Sequence, residues 1–172
     1  YCMDSNDYQP DKLYGPYDWI HFDQIAWYRK QSARFTKENN GNPVPALAFF
    51  HIPLLEYNEI AGDGKTFGNN REGEVTSANI NSGMFASFID MKDVMGVFAG
   101  HDHDNDYLGI NKGIVLGYGR VTGADAYGEL TRGARIIELY EGKFRFDTWI
   151  TTPSGREATY YYPSGLNSEE ER

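Results

Sequence analysis

Cysteine is almost absent from this chain of 172 residues: Cys2 is the only one. An intrachain disulfide and a cysteine-rich zinc site are therefore excluded, and the redox compartment stays open. Long hydrophobic runs are missing too. No window approaches the roughly 18 apolar residues that cross a bilayer, so no membrane partner is expected. No basic start followed by an apolar stretch marks a signal peptide. The opening Tyr1-Cys2-Met3-Asp4-Ser5 has no initiator methionine and reads as the interior of a longer protein. Positive charge is scarce: 16 lysines and arginines lie scattered among 25 acidic residues, for a net charge of −9. Binding to a nucleic-acid backbone rests on clustered basic residues, so no such partner is expected. Phosphate would have to be held locally, by metal ions or oriented amides. No Asn-x-Ser/Thr sequon occurs, and localisation is unknown, leaning extracytoplasmic.

What the chain does have is a globular composition. Its hydrophobic fraction of 40% and aromatic fraction of 15% suffice for a packed core. Tyr1–Ser5 reads as the tail of a strand, and Asp7–Tyr17 as turns around Pro10, Gly15 and Pro16. Helical spacing of Ile20, Phe22, Ile25, Trp27, Tyr28 and Phe35 predicts a helix over 21–38, ended by Asn39-Asn40-Gly41-Asn42-Pro43. The continuous apolar run 44–50 suits a strand buried on both faces, as in a layered α/β domain. A long glycine-containing stretch, 54–81, carries no clear element and marks a functional or disordered loop. A short helix over 82–91 and a second buried strand over 94–99 follow. Then come 107–110, 114–117, 134–140 and 143–151, which read as meander strands between glycine turns. Tyr160-Tyr161-Tyr162 reads as cover for an exposed sheet edge, or as a strip for a partner. The polar tail 163–172 reads as frayed. There are no internal repeats.

Chemistry concentrates where the two buried strands end. Three of the four histidines fall there: His51 after the first strand, and His101 and His103 in Gly100-His101-Asp102-His103 after the second. Ligands of layered α/β sheets bind outside the carboxyl ends of strands. In an extended segment residues i and i+2 point the same way, so His101 and His103 would approach one metal centre, with Gly100 letting the backbone come close. A lone strand-end histidine such as His51 is more often a hydrogen-bonded structural residue. His21, near the helix start, has a structural role. Asp104 and Asp106 are candidates for orienting the histidines, with a solvated turn as the equal alternative. Arg120, Arg132 and Arg135 would recognise phosphate bidentately, or pair with acids such as Glu129 or Glu138. Tyr107, Tyr118 and Tyr127 would line a cleft, or simply pack.

Three further motifs fail. Gly62-Asp63-Gly64-Lys65-Thr66 lacks the first glycine of a P-loop, since Glu59 stands there. Gly117-Tyr118-Gly119-Arg120-Val121-Thr122-Gly123 places its third glycine one position late for a dinucleotide fingerprint. Asp102, Asp104 and Asp106 start like an EF-hand, but Tyr107 takes the glycine position and Gly113 the glutamate position.

Phe50-His51-Ile52-Pro53 and Gly100-His101-Asp102-His103-Asp104-Asn105-Asp106 resemble the last two motif blocks of the calcineurin-like metallophosphoesterases. Trp19-Ile20, Asp23-Gln24-Ile25-Ala26-Trp27, Gly117-Tyr118-Gly119-Arg120 and Arg132-Gly133-Ala134-Arg135 resemble the subgroup related to purple acid phosphatases. The resemblance runs from about Asp4 to Ile150. It implies that 1–162 is the C-terminal part of a four-layer αββα sandwich. It also implies a phosphate-ester hydrolase with two metal ions (Fe, Mn or Zn), His51 and His101 on the second metal and His103 on the first. The family's Asp-x-His, Gly-Asp-x-x-Asp and Gly-Asn-His-Asp/Glu blocks are not in this chain. The expectation is therefore that the chain by itself binds at most one metal, weakly, turns over little or no substrate, and self-associates through an uncovered sheet face. The alternative is a non-catalytic binding or assembly module derived from that fold.

Overall fold

The computed structural model describes residues 1–11, 13–62 and 64–165. Its elements in chain order are α1 (Phe22–Glu38), β1 (Ala46–Phe49), α2 (Tyr57–Ala61), α3 (Met84–Met91), β2 (Val94–Ala99), β3 (Leu108–Asn111), β4 (Ile114–Tyr118), β5 (Ala134–Leu139), β6 (Phe146–Thr152) and β7 (Gly155–Tyr162). The architecture is α/β, in three layers. Helices cover one face of a four-stranded sheet of order β1-β2-β4-β3, and the three-stranded sheet β5-β6-β7 covers the other.

The central pairing is parallel. β1 runs beside β2, and β2 beside β4, while β3 and β4 form an antiparallel hairpin. β2 is buried along its whole length, as a strand covered on both faces must be. A register shift opposite Ala46/Leu47 places an extra residue in β2 and breaks its side-chain alternation. Met95 and Phe98 face the second sheet with Leu47, Val115, Phe146 and Tyr160. Val94, Val97 and Ala99 face the helices with Ile25, Tyr28, Tyr57 and Phe88. Tyr1–Met3 extends the sheet beyond β1 through Phe49 N to Tyr1 O (2.8 Å) and Met3 N to Phe49 O (2.9 Å).

The inward face of α1 is narrower than the apolar periodicity implies. Ile25, Tyr28 and Ser32 are buried, whereas Phe22 is 75% and Trp27 46% exposed. His21 sits at the helix start, where its backbone N donates to Gln24 (2.7 Å) and its ring meets Asp18 (2.9 Å). The stretch expected to be a loop contains α2, anchored by Tyr57, whose hydroxyl lies 3.0 Å from the carbonyls of both Val97 and Gly117. Tyr160-Tyr161-Tyr162 belongs to a strand, β7, which pairs with β6. Its periodicity is masked by a register shift and by Ala158 at φ 50°. The tail beyond Gly165 lies outside the described residues. Among the described residues no helix is long and apolar enough to cross a membrane.

Neither face of the four-stranded sheet is bare. Exposed apolar surface lies instead along an edge groove lined by Val44, Leu47, Phe49, Ile137 and Leu139, with Phe49 37% and Leu139 60% exposed.

Asp93 ties α1 to this sheet. Its carboxylate, 2% exposed, accepts the hydroxyls of Tyr28 (2.5 Å) and Tyr1 (2.7 Å). Burial, and then the neighbouring carboxylate, push the Tyr28 phenol far above its ordinary value. Removing a buried acceptor strands both donors. We therefore expect Asp93→Ala to lower unfolding stability by about 2–4 kcal/mol, read as a lower urea midpoint with an unchanged m-value. A midpoint equal to the parent's would show that these bonds carry no weight.

Candidate functional site

The three strand-end histidines arrive at one cavity by different routes. β1 and β2 are parallel and end side by side, and Gly100 N donates to His51 O across the gap (3.0 Å). A Cβ on Gly100 would stand 3.2 Å from His51 Nδ1, so the glycine makes room for the imidazole. His101 then adopts a left-handed backbone, φ 78°. For a residue with a Cβ this conformation is strained. The segment is thus a turn, closed by Asp102 N to Gly100 O (3.0 Å), and not the extended strand from which a common direction for His101 and His103 was expected. The turn aims His101 back at His51: His101 Nδ1 lies 3.1 Å from His51 Nε2, with the rings edge to face at 5.0 Å.

His103 is held separately. Its ring stacks on Tyr127 at 3.9 Å and 17°. Its Nδ1 lies 3.2 Å from the Tyr127 carbonyl. A carbonyl only accepts, so this bond places the proton on Nδ1 and leaves the Nε2 lone pair free. Among the described residues no group of three histidine, cysteine, aspartate or glutamate side chains is placed to hold a single metal ion. The structure therefore pairs His51 with His101 and keeps His103 on the opposite brace, all three lining a cavity of about 450 Å³ with Asn6, Asp7, Tyr8, Tyr17, Ile52, Thr76 and Tyr127.

The acids around these histidines support the backbone rather than the rings. Asp102, 3% exposed, accepts from Tyr118 OH (2.6 Å) and Thr76 N (3.2 Å). Asp104 accepts from the amides of Glu129 (2.7 Å) and Leu130 (2.9 Å) and so fixes the loop that carries Tyr127. Gly128 follows at φ 101°, and a Cβ there would meet Asp104 Oδ1 at 2.8 Å. Arg132 ties the same loop by donating to the carbonyls of Gly123, Gly128, Leu130 and Ala126. Asp106, fully buried, accepts from Asn69 N (2.6 Å) and pairs with Arg120 (3.1 Å). Arg120 also pairs with Glu157 (2.5 Å), so its partners are Asp106 and Glu157 rather than Glu129 or Glu138. It lines a neighbouring cavity of about 530 Å³ shared with His51, Gly100 and Arg135. Burial lowers the Arg135 pKa to about 10, which leaves it cationic at neutral pH. Tyr107 and Tyr118 are fully buried and pack; burial pushes Tyr107 up to about 12.

Sequence reasoning passed over Tyr8, Tyr17 and Glu72. Tyr8 and Tyr17 lie on a turn-rich segment with no periodicity; a bridge pairs them, and both line the cavity. Glu72 accepts from Asp104 N (2.9 Å) and Tyr127 OH (3.1 Å). It comes from the stretch expected to be unstructured, which is stitched to 102–108 by Asn105, Asp106 and Leu108.

The His101 imidazole titrates below its ordinary 6.5. Burial is the main cause; Asp102 opposes it, and His51 and His103 reinforce it. Folding therefore favours the neutral ring. Below about pH 6.5 the unfolded chain takes up the proton first, so stability falls with pH until the folded ring is protonated too. Imidazole NMR should find His101 with the lowered value. His101→Gln should flatten that part of the stability profile. An unshifted His101 resonance would contradict the geometry.

No family model matches the chain. Curated relatives do. The chain is 39% identical over 157 residues to probable inactive purple acid phosphatase 29 of Arabidopsis thaliana, covering 87% of this chain and 40% of that protein. It is 39% identical over 151 residues to probable inactive purple acid phosphatase 28 of the same plant, covering 87% of this chain and 37% of that protein. Against phosphatase DCR2 of Saccharomyces cerevisiae identity is 36% over 116 residues, 62% of this chain and 19% of that protein. The chain belongs to the purple acid phosphatase-related proteins and spans about 40% of the length of these Arabidopsis relatives.

Proposed function

We propose that this chain carries part of the metal centre of a calcineurin-like phosphohydrolase acting on phosphate esters, and that it is the C-terminal part of a four-layer αββα sandwich. The three layers described above are the order that part of such a sandwich would present. The observation that carries the functional reading is the pair His51 Nε2 and His101 Nδ1, 3.1 Å apart. Two nitrogens bound to one ion at about 2.1 Å, with an angle of roughly 90–110° between them, lie roughly 3.0–3.4 Å from each other. The pair therefore has the bite of a shared metal. Imidazole donors suit zinc, iron and manganese-like ions.

His51 and His101 would hold one ion and His103, through its free Nε2, a second. Bound ions would activate a water and stabilise charge on the phosphate oxygens. The chain's own residues supply orientation: Tyr127 sets the tautomer of His103, Gly100 seats His51, and burial keeps His101 neutral and ready to donate its lone pair. Neutral imidazoles bring no negative charge to the site, so the chain by itself would bind at most one ion, weakly, and turn over little substrate.

A second reading has a specific observation behind it. The Arabidopsis relatives are named as probable inactive, which favours a module that keeps the fold and has lost the chemistry. The word phosphatase in the yeast relative's name favours the first reading.

Metal content of the purified chain, by mass spectrometry, separates the two. The first reading expects bound metal that falls to background in His101→Ala/His103→Ala, with little or no hydrolysis of an aryl phosphate in Mn²⁺. Metal-free protein in both forms would favour the non-catalytic reading, and clear metal-dependent turnover would overturn the proposal that the chain by itself is inert. We also propose that copies of this chain pair through the β1-edge groove. Light scattering should then show a mass that rises with concentration, and a constant monomer mass would contradict it.

A further inference from the structure

We propose that the histidine cavity takes a phosphoester whose leaving group carries a flat, uncharged aromatic ring. This rests on the phosphohydrolase reading, which places the phosphate at the histidines; the rim supplies the rest. The cavity's volume of about 450 Å³ lies within the roughly 300–1,000 Å³ of small-molecule sites. Tyr8, Tyr17 and Tyr127 line it. Tyr8 is 63% and Tyr127 57% exposed, against none for the packed Tyr28, Tyr57, Tyr107 and Tyr118.

These exposed rings are held in place. Tyr8 and Tyr17 pair across a narrow loop closed by Gln9 N to Pro16 O (2.9 Å) and Asp18 N to Asp7 O (2.8 Å), with their rings 5.3 Å apart. Tyr17 in turn meets the His101 ring edge-on at 4.7 Å. Tyr127 is fixed by His103 and Glu72. Ordered aromatic faces next to a polar floor offer stacking and edge contacts to another ring at little entropic cost. Charge narrows the occupant further. The described lining residues include Asp7 and no lysine or arginine, so beyond the histidines a second anionic group would meet repulsion and no counter-ion.

The test is binding, measured by calorimetry on this chain with Zn²⁺ present, using phenyl phosphate, glycerol 3-phosphate and inorganic phosphate. Phenyl phosphate should bind about tenfold more tightly than glycerol 3-phosphate. Tyr8→Ala, at an exposed position that leaves the core intact, and Tyr127→Leu should each remove about threefold of that preference. Equal affinity for the two esters would overturn the inference while leaving phosphate recognition standing. A preference unchanged in both variants would also overturn it, since the tyrosines would then not be the cause. No affinity for any of the three would overturn this inference, and the metal content of the chain then decides the phosphohydrolase reading separately.

Discussion

The parallel register of β1 on β2 governs the site. Both strands run in the same direction, β2 buried along its whole length and β1 at Leu47 and Ala48, so they end at one level and release their next residues side by side. The bond from Gly100 N to His51 O (3.0 Å) locks that level. A slip of one residue would move every β1 side chain to the opposite face, putting Leu47 among the helices and Ala48 against Phe98 and Phe146. The core that holds the register therefore also sets the separation of His51 and His101, and the β2 bulge is the adjustment that lets both faces of the strand stay apolar.

Beyond the strand ends, precision comes from loops that are not loose. The segment 67–76 is laid against 102–108 by bonds to Asp102, Asn105, Asp106 and Leu108. The segment 123–130 is tied by Asp104 and Arg132. Acids that would look like metal ligands in a list of residues are largely spent on backbone amides. The carboxylates of the Asp102–Asp106 run thus hold scaffolding in place, and the histidines are left facing the cavity.

Most of the fold was legible because buried strands announce themselves. The apolar runs 44–50 and 94–99 and the helical period over 21–38 all correspond to elements within a few residues. Two elements were hidden for physical reasons. β7 begins with exposed Gly155, Arg156 and Glu157 and passes through Ala158 at positive φ, so no alternation of period two survives. α2 is five residues long, too short for a helical period to show. At the site, residue type and position marked His51, His101 and His103 as candidates, but not their geometry. The left-handed His101 divides the motif into a pair and a separately braced ring, and nothing in Gly-His-Asp-His announces a positive φ at a histidine. Tyr8 and Tyr17 line the cavity, and Glu72 braces its wall through Tyr127, from turn segments that carry no periodic signal.

The central claim is that His51 and His101 form the two-nitrogen bite of a metal site. Electron paramagnetic resonance of the chain titrated with Cu²⁺ tests it most directly, since hyperfine splitting counts coordinated nitrogens. Two equivalent imidazole nitrogens at one bound ion, falling to one in His51→Ala, is the predicted result. A spectrum of unbound Cu²⁺, or one that His51→Ala leaves unchanged, would contradict it.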